Sequence, residues 1–188
     1  MKMILRSLIV PLLACLSLNC HADTVVTTFG LPLGGKLPYK LKLCSASSET
    51  AKEVCWEKAP RIQQGDPTGG IRFPKPDSLP KWAENGKFWL WQTSQGVLKE
   101  LIVNVGSLDT KDIEVSISSR FGVPTYRNTV SGIGRSMYYV DWERSDITIQ
   151  MACGETCDLK FISAALAKAR DEIFIGMRKK DAARPVAP

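Results

Sequence analysis

The sequence predicts an α+β domain: an antiparallel sheet with two main helices, stapled by disulfides. Three observations carry this. Short β-branched and aromatic runs such as Lys87–Gln92 and Asp146–Cys153 alternate with turn-forming clusters. Two other stretches, Asp109–Phe121 and Ser163–Lys180, repeat apolar residues at helical spacing. Four cysteines follow an N-terminal leader, an even number that reads as a covalent framework. The chain has 188 residues, 44% of them hydrophobic and 23% charged, which suffices for one core and argues against wholesale disorder.

The first element is an address. Lys2 and Arg6 precede an apolar run, Ser7–Leu18, which leads to small residues at Cys20 and Ala22. This is the order of a secretory signal, with cleavage expected after Ala22; the run is too short to span a bilayer. Leu12-Leu13-Ala14-Cys15 also matches a lipobox, so the competing expectation is a lipid anchor at Cys15. The domain reading is a signal peptide at 1–22, one exported domain at 23–180 and a flexible tail at 181–188. Loss of Lys2 and Arg6 with the leader lowers the net charge from +6 to +4. That mild excess suits an anionic envelope polymer and gives no case for nucleic acid.

Export has a chemical consequence. His21 is the single histidine of the chain and lies inside the leader. The mature chain then lacks imidazole, which excludes Ser-His-Asp and Cys-His nucleophiles and every imidazole-dependent metal site. No catalytic residue, metal or cofactor is expected. Cys44, Cys55, Cys153 and Cys157 allow three pairings. The local pairs Cys44–Cys55 and Cys153–Cys157 are the favoured ones, the first closing a loop worth about 3 kcal/mol.

Along the mature chain, Thr24–Phe29 reads as a strand and Leu41–Leu43 as a short one. Ser45–Ala59 reads as polar and partly helical, with Cys55 and Trp56 late in it. Pro60–Gly86 is the least regular stretch: it holds Pro60, Pro67, Pro74, Pro76 and Pro80, a turn at Asp66–Gly69 and an edge strand at Ile71–Phe73. Lys87–Gln92 and Val97–Val105 form a hairpin about Thr93–Gly96, although Lys99 and Glu100 break its alternation. The helix Asp109–Phe121 stops at Gly122, and Pro124 forbids its continuation. Strands follow at Thr125–Val130, Met137–Trp142, Asp146–Cys153 and 158–162. The closing helix carries a stripe of Leu166, Ala169, Ile173 and Met177.

Residues Gly96–Ala165 hold a recognisable order: a hairpin strand, a helix ending in Arg120-Phe121-Gly122-Val123-Pro124, then strands with Tyr138-Tyr139-Val140-Asp141-Trp142 and Ile147-Thr148-Ile149. This resembles a module of small exported proteobacterial proteins, most of them uncharacterised, in which a helix closes on a Tyr/Phe-Gly-x-Pro turn before a Trp-bearing strand. It is also similar to strand-helix units of periplasmic inhibitor proteins and small outer-membrane assembly lipoproteins. The resemblance implies a fold type and an envelope setting, and brings no catalytic residues.

The candidate binding residues are Trp82, Lys81, Trp89 and Trp91. Trp89 and Trp91 share one strand face, Phe88 and Leu90 the other. The expectation places Trp89 or Trp91 in the sheet core and Trp82 at the surface, beside Lys81 in the proline-rich loop. Other clusters are weaker. Asp141, Glu143 and Asp146 gather at a turn and suit a carboxylate hydrolase. Ser78-Leu79-Pro80-Lys81 matches a Ser-x-x-Lys string, but Pro80 bars the helix that such chemistry needs. Gly132-Ile133-Gly134 reads as a hairpin turn. The expected function is therefore a non-catalytic binding or inhibitor-like envelope protein whose partner is an envelope protein or glycan. The alternatives are a carboxylate hydrolase and an assembly component. An enzyme should gather two acids in one hollow with a perturbed pKa, whereas a binder should expose an aromatic patch.

Overall fold

A computed structural model describes residues 25–45, 53–74, 79–106, 110–132 and 135–182, with side chains to 173. The leader with Cys15, Ser78, Asp109, Ile133, Gly134 and residues 183–188 lie outside these. The chain is α+β. Its strands are β1 (Val26–Thr28), β2 (Leu31–Leu33), β3 (Cys55–Trp56), β4 (Arg61–Gln63), β5 (Asp66–Arg72), β6 (Lys87–Gln92), β7 (Leu98–Val105), β8 (Tyr126–Gly132), β9 (Arg135–Glu143), β10 (Ile147–Cys153) and β11 (Cys157–Ser163). The helices are α1 (Thr110–Phe121) and α2 (Ala164–Ala182). The main sheet runs β3-β5-β6-β7-β11-β10-β9-β8. β4 pairs with β5, and β2, which pairs with β1, joins β7. Among the described residues every pairing is antiparallel except the single β2–β7 register point, Leu33↔Leu98, and the isolated bridge Leu43↔Trp56.

The first half departs from expectation at its turns. Phe29 is not strand: with Gly30 it forms a two-residue hairpin loop, at φ 51° and 76°. A phenylalanine in left-handed backbone is costly. The conformation places its ring among Phe73, Trp82, Phe88 and Phe161, with centroids 5.3–6.3 Å away and edge-on geometry. The turn expected at Asp66–Gly69 is strand, and the reversal lies at Gln64-Gly65 (φ 53° and 83°). Pro67 is tolerated because β5 has one neighbour there, facing Ile62 of β4, and pairs with β6 only from Thr68 onward. Ile71 is no edge position, since it lies between Trp56 and Phe88. Leu41–Leu43 contributes one bridge, Leu43↔Trp56. Cys55–Trp56 is strand rather than helix, held by Trp56 N–H to Lys42 O (2.8 Å), Cys44 N–H to Trp56 O (2.9 Å) and the Cys44–Cys55 disulfide.

The core fills one face of the sheet. Leu90, Leu101, Val103, Val140, Trp142, Ile149, Leu159 and Phe161 point to it, and Ile113 and Ile117 of α1 pack down on it. The helix stop is built from both sides. Gly122 takes φ 80°. The Trp142 indole donates to Gly122 O (3.1 Å), while Arg144 donates to Phe121 O (2.7 Å) and Val123 O (2.6 Å). The carbonyls at the helix end are thus satisfied by Trp142 of β9 and by Arg144 just beyond it. This ties the Phe-Gly-x-Pro turn physically to the tryptophan that follows it. On the same helix, Glu114 accepts from Arg127 Nε (2.8 Å) and the Tyr138 hydroxyl (2.7 Å), locking α1 to β8 and β9.

The broken alternation of β7 is a bulge. Trp91 faces Glu100 and Gln92 faces Leu98, so Lys99 is the extra residue. Lys99 stands 4.9 Å from the Trp91 ring centroid and pairs with Asp66 at 2.6 Å. Glu100, 5% exposed, receives both arms of Arg170 from α2 (2.8 and 3.2 Å). This pair orients α2. The expected stripe is not buried: Ala169 is exposed and Ile173 is 57% exposed, because the helix turns Arg170, one 100° step from Ala169, toward the sheet. Met177 lies beyond the described side chains. The second disulfide, Cys153–Cys157, joins directly paired residues of β10 and β11, both buried.

Candidate functional site

The structure separates the candidate tryptophans onto two faces: Trp82, expected at the surface, packs against the core, Trp89 is exposed, and Trp91 is half-buried. Trp82 belongs to the core side. Its ring packs edge-on against Phe29 and its indole donates to Ser116 Oγ of α1 (3.0 Å). Lys81 stays exposed at the start of the short 3-10 turn Lys81–Ala83. Trp89 is 42% exposed on the opposite face, where Trp91 is half-buried between Lys99 and Arg170. The reason is pairing. Phe88 and Leu90 face the core, so the period-2 alternation sends both tryptophans outward.

That outward face is the candidate site. One cross-strand row reads Gly70, Trp89, Ile102, Lys160, Gln150, Asp141 and Tyr126, from β5 to β8. The next reads Lys87, Asn104, Asp158, Ala152, Tyr139 and Asn128. From Trp89 to Tyr126 the row crosses five strand spacings, about 24 Å. Tyr126 is 49% exposed, so an aromatic ring stands at each end with amide, carboxylate and ammonium groups between.

Two hollows mark the ends. One, of about 420 Å³, lies against Trp89 and is lined by Glu57, Lys58, Arg61, Gln63 and Gly70. At Gly70 a Cβ would stand 3.1 Å from Glu57 Oε2, so any side chain there would have to displace the carboxylate. The other, of about 560 Å³, is lined by Tyr126, Tyr139, Asp141, Gln150, Asp158 and Lys160. Burial, followed by repulsion from Glu143, pushes the Asp141 carboxyl above its ordinary value. Its side chain takes no hydrogen bond among the described residues. Asp158 does: Asn104 Nδ2 donates to it at 2.7 Å. That bond draws Asp158 toward β7, away from Asp141 on β9.

Of the acids expected to cluster at the turn, Asp141 and Glu143 do lie together on one strand face, while Asp146 sits in the turn beyond. The sequence reading missed Tyr126, Tyr139, Gln150 and Lys160. Each is legible only as an outward position, and outwardness follows from the partner strand. Among the described residues no group of three or more His, Cys, Asp or Glu side chains is placed to hold a metal ion. No described helix is long and apolar enough to cross a membrane. The chain matches no protein-family model, no curated protein and no solved structure.

Proposed function

We propose that this chain is an exported, non-catalytic binding protein of the bacterial envelope, and that the exposed rows of its outer sheet face, beside the row that α2 covers, grip a glycan strand. The observation that carries the reading is Trp89: a large ring left 42% exposed beside a glycine, at the edge of a hollow rimmed by Glu57, Arg61 and Gln63. An indole face accepts the apolar face of a sugar ring, and the rim supplies hydrogen-bond partners for hydroxyls. Tyr126 offers a second ring about 24 Å away, a span that suits a polymer. The two disulfides and the short apolar leader support an oxidising compartment, periplasmic or secreted, with a lipid tether at Cys15 as the alternative.

The test is co-sedimentation of the oxidised protein with insoluble peptidoglycan, and calorimetric titration with a soluble N-acetylglucosamine tetramer. Trp89→Ala is expected to weaken retention at least tenfold with the fold intact. Absence of retention, or equal retention by the variant, refutes the reading. A carboxylate hydrolase remains the second reading, because Asp141 is an acid of raised pKa in a hollow that also holds Asp158. Release of reducing ends that Asp141→Asn abolishes would favour it. Co-purification with envelope complexes that survives Trp89→Ala would favour an assembly component.

A further inference from the structure

A third hollow, of about 660 Å³, lies beneath residues 36–43 and shares no lining residue with the other two. The segment is a strap anchored at both ends. Lys36 bridges Val97, and Leu37 N–H donates to Gly96 O (3.3 Å). At the far end Lys42 O accepts from Trp56 N–H (2.8 Å), and the Cys44–Cys55 disulfide closes the frame. Between the anchors, the Tyr39 hydroxyl accepts from Val54 N–H (3.3 Å). The strap thus holds its arch through backbone bonds, the disulfide and the Tyr39 hydroxyl, with Leu37, Tyr39 and Leu41 packed against the core and Lys36, Lys40 and Leu43 left exposed.

The lining is apolar with a one-signed rim. Leu41, Leu43, Trp56, Pro60 and Pro67 supply the apolar wall, while Lys36 and Lys40 stand at the edge. No acidic residue lines the hollow. Lys36 and Lys40, with Lys42 next to them on the strap, are exposed and make no ion pair among the described residues. The nearby Asp66 is committed to Lys99 (2.6 Å) and to Ser94 N–H (3.0 Å). Gln92 is among the lining residues, and its Oε1 is buried without a partner. An amide buried in this way costs free energy unless a ligand group satisfies it.

We infer that this groove binds a single-chain amphiphile: an acyl or alkyl chain against Trp56 and the prolines, an anionic head on Lys36 and Lys40, and a hydroxyl or amide hydrogen of the head donated to Gln92. The volume lies within the range of small-molecule sites. The positive rim and the absence of lining carboxylates set the sign of the head. This inference does not rest on glycan binding.

Calorimetric titration of the oxidised chain, below the critical micelle concentrations, tests it with N-dodecanoylglycine, laurate, dodecyl phosphate and zwitterionic dodecylphosphocholine. The anionic probes are expected to bind at least tenfold tighter than the zwitterion; comparing dodecyl phosphate with laurate tells which head is preferred. Lys36→Ala/Lys40→Ala should remove that preference, with Tm unchanged because both side chains are exposed. N-dodecanoylglycine should outbind laurate in the parent, and Gln92→Leu should equalise the two. Failure of saturable binding by any anionic probe overturns the inference, as does equal affinity of parent and double-lysine variant. Binding of a hexaglutamate peptide in preference to every acyl probe overturns it in favour of an acidic peptide. Trp89→Ala must leave these affinities unchanged, which separates this groove from the sheet face.

Discussion

The two tryptophans whose roles the structure exchanges give the sharpest test. Trp82→Ala removes a ring packed against Phe29 and an indole bond to Ser116 at 3.0 Å. Truncating a well-packed tryptophan costs about 3–5 kcal/mol, and the partial exposure of this one puts it near the low end, about 3 kcal/mol. Trp89→Ala removes a ring that is 42% exposed on the outward face. Solvent fills the space, so no cavity remains, and the loss is limited to strand preference and cross-strand contact, about 1 kcal/mol. The difference of about 2 kcal/mol corresponds to roughly 4–8 °C in Tm for a domain of this size. Thermal melts followed by circular dichroism, with urea titrations at fixed m-value, measure both variants. Trp82→Phe, which keeps the ring and loses the indole bond, should fall between them at about 1–1.5 kcal/mol. Equal losses for Trp82→Ala and Trp89→Ala, or a larger one for Trp89, would refute the assignment of faces.

Three further outcomes follow from the charged contacts. Burial alone would raise the Glu114 carboxyl, but the bonds from Tyr138 and Arg127 outweigh it and hold the group below its ordinary value of 4.5. Its stabilisation is complete above that value and lost as pH falls through the depressed one, so Glu114→Gln should cost about 1 kcal/mol at pH 7 and progressively less below pH 4.5; a constant difference across an acid titration would contradict this. Asp141 has the opposite sign. Its raised pKa means the ionised form is penalised in the folded chain, so the group favours folding only while protonated, below the ordinary 3.8, and that contribution is lost as pH rises through the raised value. Asp141→Asn should therefore raise stability at pH 7 by about 0.5 kcal/mol, read as a higher Tm, and a lower Tm would count against it. Glu100→Gln breaks the paired arms of Arg170 and should cost about 1–2 kcal/mol, with faster hydrogen exchange confined to α2; unchanged α2 protection would show that the pair does not dock the helix.

Local chemistry made much of the second half legible. Asp109–Phe121 could be read as a helix because Ile113, Ile117 and Phe121 recur at its period and Gly122 and Pro124 end it; α1 stops at Phe121. The two disulfides join the nearest cysteines, for which loop closure is least costly. The first half was less legible because glycine and proline are ambiguous there. Pro67, Gly69 and Gly70 read as turn residues, yet they lie in β5, where Pro67 meets an open edge and the Glu57 carboxylate stands against Gly70. No local pattern distinguishes Gln64-Gly65 as the reversal.

The candidate site shows the same division. Period-2 alternation in Lys87–Gln92 determines by itself that Trp89 and Trp91 share a face opposite Phe88 and Leu90. It carries no sign, because both sets are apolar. Only the packing of α1 and the Phe29 ring against one side of the sheet decides which set is buried. The same pairing brings Tyr126, Asp141, Gln150, Lys160 and Trp89, from five strands, into one row. Residues up to 71 positions apart in sequence become neighbours or near-neighbours through strand register, a long-range property that arises when the sheet closes.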